Sequence, residues 1–166
     1  MWHIQGDALE AIHGKAWDLV IAFPPCTYLT NSNAWRWDAI AAERAEALDF
    51  VRAIMGAPVE RIAVENPVGA IGTQIRKADQ YIQPWQFGEP FQKTTGLWLK
   101  NLPKLRPEVT TKPDNVVPYV QAAYGPRNPE TGKRTAVVGR QGAKRSGHER
   151  SRTFRGIARA MAEQWG

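Results

Sequence analysis

One cysteine, Cys26, stands in a chain of 166 residues. An internal disulfide is therefore excluded, and so is a cysteine-rich metal site. Histidine is nearly as scarce: His3, His13 and His148 are too scattered to suggest a ligand set, so no metal is expected. Long apolar runs are missing too. None approaches the roughly 20 residues that cross a bilayer, so no membrane partner is expected. The opening Met1-Trp2-His3-Ile4-Gln5 has no basic region followed by an apolar core, which reads as no signal peptide and a cytoplasmic protein. There is no internal repeat and no glycine-rich loop between a strand and a helix; Gly139, Gly142 and Gly147 lie in a basic stretch.

What is present begins with 43% hydrophobic residues, enough for one domain with a core and too many for a disordered chain. The net charge of +6 is unevenly spread. Residues 127–159 hold ten Lys/Arg against two acids, whereas residues 1–126 hold twelve basic and thirteen acidic residues. A near-neutral body with a basic end section suits a polyanion partner, or a solvated tail.

The periodicities predict an α/β domain. Ala8–Ile12 reads as a turn or two of helix after Gly6-Asp7, with a short strand at His3–Ile4 before them. Asp18–Phe23 is an apolar, β-branched run ended by two prolines, which fits a buried strand. Thr27–Trp37 is polar and aromatic and reads as a loop. Asp38 would cap a helix from Ala39 to Met55, with Gly56 and Pro58 as its stop. Arg61–Glu65 is a second buried strand ended by Asn66-Pro67. A strand, helix and strand in this order make a right-handed parallel unit, whose functional loops lie at the carboxyl ends of the strands. Cys26 and Glu65 both fall just past those ends.

Downstream, Ala70–Ala78 is a weak helix, and Tyr81–Gln86 and Gly96–Leu99 are short strands. Pro103 to Pro118 is extended loop. Gly125–Ser151 has no apolar periodicity and reads as a mobile segment. Ile157, Ala158, Met161 and Trp165 give an amphipathic C-terminal helix started by Ser151 or Thr153. The organisation is thus a catalytic domain over 1–126, a basic flexible segment over 127–152, and a helix over 153–166 packed on the same domain.

Cys26 and Glu65 carry the chemistry. A thiolate is a soft nucleophile suited to conjugate addition at C6 of a pyrimidine. The ring must then accept electrons, and a carboxylic acid hydrogen-bonded to N3 provides that, its pKa raised by burial. A packed core cysteine and a surface glutamate are the alternative. Trp35 and Trp37 could stack on bases or close the loop over a hydrophobic floor, and Trp85 and Trp98 read as core. Tyr28, Thr30 and Asn31 are candidate pocket residues, and Asn before Pro is also a common turn.

The chain resembles the DNA cytosine-C5 methyltransferases, in particular short phage-type members. Asp18–Thr27, with Pro24-Pro25-Cys26, is similar to the family's catalytic loop, and Ala63-Val64-Glu65-Asn66-Pro67 to its base-holding Glu-Asn segment. Gly6-Asp7 resembles the acidic segment near the cofactor adenine. Phe87–Thr94 resembles the family's Tyr-Gly-x-Pro-Gln-Arg element. The four lie in the family's order over roughly residues 6–100. The resemblance implies a partial Rossmann-like, methyltransferase-type, mainly parallel sheet with flanking helices. It implies a Cys26–C6 adduct, methyl transfer to C5 from S-adenosylmethionine, and a target base flipped from DNA. It assigns Asp7 and Pro24 to the cofactor. Nucleic acid falls to Asn66, Lys93, Thr94 and Trp35, and to Arg140, Lys144 and Arg145 of the basic stretch, which suits phosphate contact better than base reading. It implies a phage- or prophage-encoded protein in a bacterial host.

Two departures follow. The family's opening strand and Phe-x-Gly-x-Gly loop are absent, so the fold would be N-terminally truncated. Its Gln-Arg-x-Arg is replaced by Gln92-Lys93-Thr94-Thr95. Lys93 can meet a phosphate, but a second, fork-shaped donor is missing. A truncated sheet exposes a strand edge. That edge calls for a homodimer, a partner polypeptide carrying the missing strand and loop, or cover from the C-terminal segment. The alternative functions are an inactive DNA-binding remnant of the same fold, or donor-free thiol chemistry on a pyrimidine.

Overall fold

A computed structural model describes residues 3, 5–31, 38–119, 123–127, 134–137 and 153–166. The chain is mixed α/β. Helix α1 (Ala8–His13) begins at Asp7, whose carboxylate accepts from the backbone N–H of Leu9 and Glu10. Strand β1 (Leu19–Ala22) leads to helix α2 (Ala41–Met55), which returns the chain to β2 (Arg61–Pro67). The two strands are parallel, with Ala22 beside Val64. The expected strand–helix–strand unit is present.

Helix α2 starts later than its sequence signal. Ile40, not Asp38, occupies the cap position and offers no side-chain acceptor. Ile40 is 5% exposed, so its burial sets the helix start and leaves Asp38 in the preceding turn. Gly56 closes the helix as expected.

Beyond β2 the sheet departs from the mainly parallel expectation. Helix α3 (Ala70–Gln74) is a single turn, followed by β3 (Gln80–Ile82), which ends just before Pro84. Pro84–Phe87 is a 3₁₀ turn rather than strand, and Gly88 leaves it at φ 85°, a left-handed conformation that favours glycine. After β4 (Phe91–Gln92), β5 (Thr95–Lys100) inserts between β2 and β3, antiparallel to both. The order is β1-β2-β5-β3: three strands run one way, but only one of the three ladders is parallel. The cause is the short return through residues 83–94, which brings the chain back alongside β2 without a crossover helix.

β6 (Val117–Pro118) pairs with β4 at the end of the proline-punctuated stretch. β7 (Ala123–Arg127) and β8 (Arg134–Val137) form an antiparallel pair that reaches into the segment expected to be flexible, so the boundary at 126/127 cuts a strand. Ile4, the remainder of 127–152 and residues 32–37 lie outside the described residues.

Helix α4 (Arg155–Trp165) closes the chain. Its cap position is Phe154, without a side-chain cap; Thr153 precedes it, and Ser151 lies outside the described residues. Phe154 is nearly buried, so packing rather than a hydroxyl fixes this start.

Strand alternation gives the sheet two apolar faces. Ile62, Val64 and Trp98 pack with Leu48, Val51 and Ile54 of α2. Ala63, Leu97 and Ile82 pack with Ile157, Met161 and Trp165 of α4. Each fully buried aliphatic side chain contributes about 1.5–3 kcal/mol. Helix α4 runs opposite to β2, since Arg61 donates to the Trp165 carbonyl at 2.8 Å. Helix α4 therefore covers a face of the sheet rather than its edge. Among the described residues β1 pairs with β2 alone, and its four residues are only half-buried, against the expectation of a buried strand.

Candidate active site

The carboxyl ends of β1 and β2 lie side by side, and their loops are joined by hydrogen bonds. Asn66 donates from Nδ2 to the Pro24 carbonyl at 2.8 Å, and the bond is buried. The chain after Cys26 then turns tightly: Leu29 and Thr30 both donate to the Cys26 carbonyl at 3.0 Å. That turn docks on the loop after β2. Ala70 donates to the Leu29 carbonyl at 2.7 Å, and Asn31 donates to the Val68 carbonyl at 3.1 Å. Gly69 makes this approach possible, for a Cβ there would lie 1.8 Å from the Leu29 carbonyl oxygen. Leu29 anchors the turn at 1% exposure. Cys26 is left partly exposed, between Pro25 and Thr27 at the surface, with exposed Phe23 and Tyr28 nearby in sequence.

Glu65 and Asn66 point to opposite faces of the sheet, as consecutive strand residues must. Glu65 lies opposite Leu97, on the face covered by α4. Burial raises the pKa of its carboxyl, against the opposing pull of the Lys93 charge and a hydrogen bond with the Thr95 side chain. A carboxyl that keeps its proton more readily suits a donor to N3 of a pyrimidine.

Asn66 belongs to the other face. At 1% exposure it is the bolt between the two loops, and its placement does not support the expected nucleic-acid contact. Thr94 accepts from Gln83 Nε2 at 2.7 Å. Lys93 lies beside Glu65, and its Nζ sits 5.7 Å from the ring centroids of both Tyr119 and Phe154. Trp98 is core, as expected, with Nε1 donating to the Arg76 carbonyl; Trp85 is only half-buried. Trp35, Trp37, Arg140, Lys144 and Arg145 lie outside the described residues.

No family model, curated protein or solved structure matches this chain.

The two residues assigned to a cofactor have other partners. Asp7 caps α1 through Oδ1, and the Pro24 carbonyl is engaged by Asn66. Gly6, before Asp7, has nothing within 4 Å of where its Cβ would be. Among the described residues no cluster of three His, Cys, Asp or Glu could hold a metal. No helix among them is long and apolar enough to cross a membrane.

Sequence reading missed Thr95, Gly69 and Leu29. Thr95 stands at the end of the Lys93-Thr94-Thr95 run, opposite Pro67 in the ladder. Only the pairing of β5 with β2 reveals that it reaches Glu65. Gly69 carried a usable signal: a glycine two residues past Asn66-Pro67 marks a backbone approached closely.

Proposed function

We infer that this chain performs the base-activating half of cytosine-C5 chemistry on DNA. Cys26 is the nucleophile and Glu65 the acid. The observation that carries this reading is the Asn66–Pro24 bond: it fixes the cysteine loop to the strand whose preceding residue is a carboxyl of raised pKa.

The Cys26 thiolate forms an S–C6 bond, and the C5–C6 π electrons shift into the ring while Glu65 delivers its proton to N3. C5 is then electron-rich and takes an electrophile. Loss of the C5 hydrogen as a proton restores the double bond, the S–C6 bond breaks, and N3 returns its proton to Glu65. Such an approach requires an unstacked base, hence flipping or a single strand.

S-adenosylmethionine is the methyl donor that the resemblance names. We place it on a partner polypeptide carrying the Gly-rich strand and loop, with the half-buried edge of β1 as the docking strand. A Rossmann-like methyltransferase sheet completed in this way, in a phage-encoded protein, is part of the same proposal.

Incubation with 5-azacytosine DNA, whose ring nitrogen at position 5 takes a solvent proton so that the C6 adduct persists without a methyl donor, tests the reading. The expected result is a covalent complex lost in Cys26→Ala, together with tritium release from C5-labelled cytosine without any donor. Absence of both would leave the DNA-binding remnant. Calorimetric binding of S-adenosylmethionine by the purified chain would refute the split arrangement.

A further inference from the structure

A cavity of about 610 Å³ opens beside the N-terminus of α4, on the face of the sheet that carries Glu65. Three aromatic rings line it: Phe91, Tyr119 and Phe154, with centroids 4.7–5.9 Å apart. Lys93 links this cluster to the reactive end of β2, lying 5.7 Å from two of the rings and acting on the Glu65 carboxyl. The rim carries Arg155 and Arg159.

The acids near this rim are already engaged. Glu89 accepts from the Gly156 N–H at 2.9 Å, and Glu108 pairs with Arg159 at 2.5 Å. Arg155 is exposed and makes no ion pair among the described residues. Both arginines end the section of sequence where ten Lys/Arg meet two acids. Aromatic walls attract flat heterocycles, and a cationic rim attracts phosphate; that pairing of features is how proteins hold single-stranded nucleic acid. The size also falls within the range of small-ligand sites.

We propose that this cavity is a second nucleotide subsite: it takes an unpaired nucleotide of the same strand, next to the one presented to Cys26. The base stacks against the cluster of Phe91, Tyr119 and Phe154, and the phosphate meets Arg155. The assignment deepens the reading of Cys26 and Glu65 as base-directed groups and rests on it. It adds that the substrate is unpaired over at least two nucleotides.

The test uses the full chain and single-stranded oligodeoxynucleotides. One set carries 5-iodouracil at each position flanking a target cytosine. Irradiation should cross-link one flanking position to Phe91, Tyr119 or Phe154, as mapped by peptide mass. Arg155→Glu should weaken oligonucleotide binding about tenfold and lower the salt slope by roughly one unit, as loss of a phosphate contact does. Because Arg155 is exposed, this variant should fold; Tyr119→Leu, with a lost cross-link, is the second variant. Unchanged binding in Arg155→Glu together with no cross-link to the three rings would overturn the proposal. Free deoxycytidine monophosphate competing as well as the oligonucleotide would overturn the assignment to a strand. Trapping of 5-azacytosine DNA on wild-type Cys26 reports separately on the reaction, so either reading can fail with the other intact.

Discussion

Asn66→Asp exchanges one atom and should dismantle the site. The wild-type amide donates to the Pro24 carbonyl at 2.8 Å in a buried setting, and its Oδ1 has no partner among the described residues. The amide is therefore held by a single bond. An ionised aspartate puts an oxygen where the donor was, facing a carbonyl oxygen. The cost combines a buried carbonyl left without a donor, about 1–3 kcal/mol, and a buried, unpaired carboxylate. Such a carboxylate binds a proton rather than stay charged. Its folded-state pKa must then lie above its unfolded value of about 3.9. The stability it offers is full below that value and is lost as pH rises through the folded pKa. The protonated form can donate its O–H to Pro24 and restore the bond. Urea unfolding should therefore show a small deficit against wild type at pH 4 and a deficit of at least ~3 kcal/mol at pH 8. Asn66→Ala should lose about 2–4 kcal/mol from the missing bond and the cavity, with no dependence on pH. Glu65 titrates in all three proteins, so it cancels in the comparison. Equal deficits for Asn66→Asp at both pH values would refute the idea that a donor at this atom joins the loops. Adduct formation should follow stability, since a displacement of about 1 Å at a nucleophile costs on the order of 10²-fold in rate.

Three shorter predictions complete the set. Glu65 binds its proton more readily in the folded state than when unfolded, so its stabilising contribution is full below the ordinary value of 4.5 and is lost as pH rises. Glu65→Gln should therefore be more stable than wild type at pH 8 in urea titrations, should match it near pH 4, and should form the adduct more slowly than wild type at both, by the roughly 10²-fold or more that a general acid contributes. Gly69→Ala should lower stability by at least the ~1–3 kcal/mol of an overpacked site, because its Cβ would meet the Leu29 backbone oxygen at 1.8 Å and expel the docked turn; a melting curve checks this. Cys26→Ser should unfold within about 0.5 kcal/mol of wild type yet give no adduct on 5-azacytosine DNA, since the side chain is partly exposed.

The β1–α2–β2 unit was legible because each element carries a local signal. Two apolar β-branched runs end at prolines, a helical period lies between them, and Gly56 ends the helix. Helix α4 was legible from Ile157, Met161 and Trp165 for the same reason. What local signals do not encode is direction. Nothing in Thr95–Lys100 says that it runs against β2 or that it lies between β2 and β3. The side-chain period of two is the same for parallel and antiparallel strands. The helix starts failed for a related reason. Asp38 and Thr153 are better caps by propensity than Ile40 and Phe154, but burying an apolar side chain outweighs the ~1 kcal/mol of a cap.

The same period settles how far a paired motif can be read. Glu65 and Asn66 are adjacent in an extended strand, so they face opposite sides of the sheet. Both side chains cannot serve one base. Once Glu65 is committed to the face with Lys93, Thr95 and the aromatic cavity, Asn66 must face the α2 side, where its amide donates to the backbone of the other strand's loop. The pair therefore divides the work. In the proposed reaction Glu65 meets the base, and Asn66 holds the loop that carries the thiol. Asn66→Ala should accordingly lower the rate of adduct formation without shifting its pH dependence. A substitution at Glu65 should abolish the pH dependence that its carboxyl imposes. Measuring adduct rates across pH for both separates the two tasks.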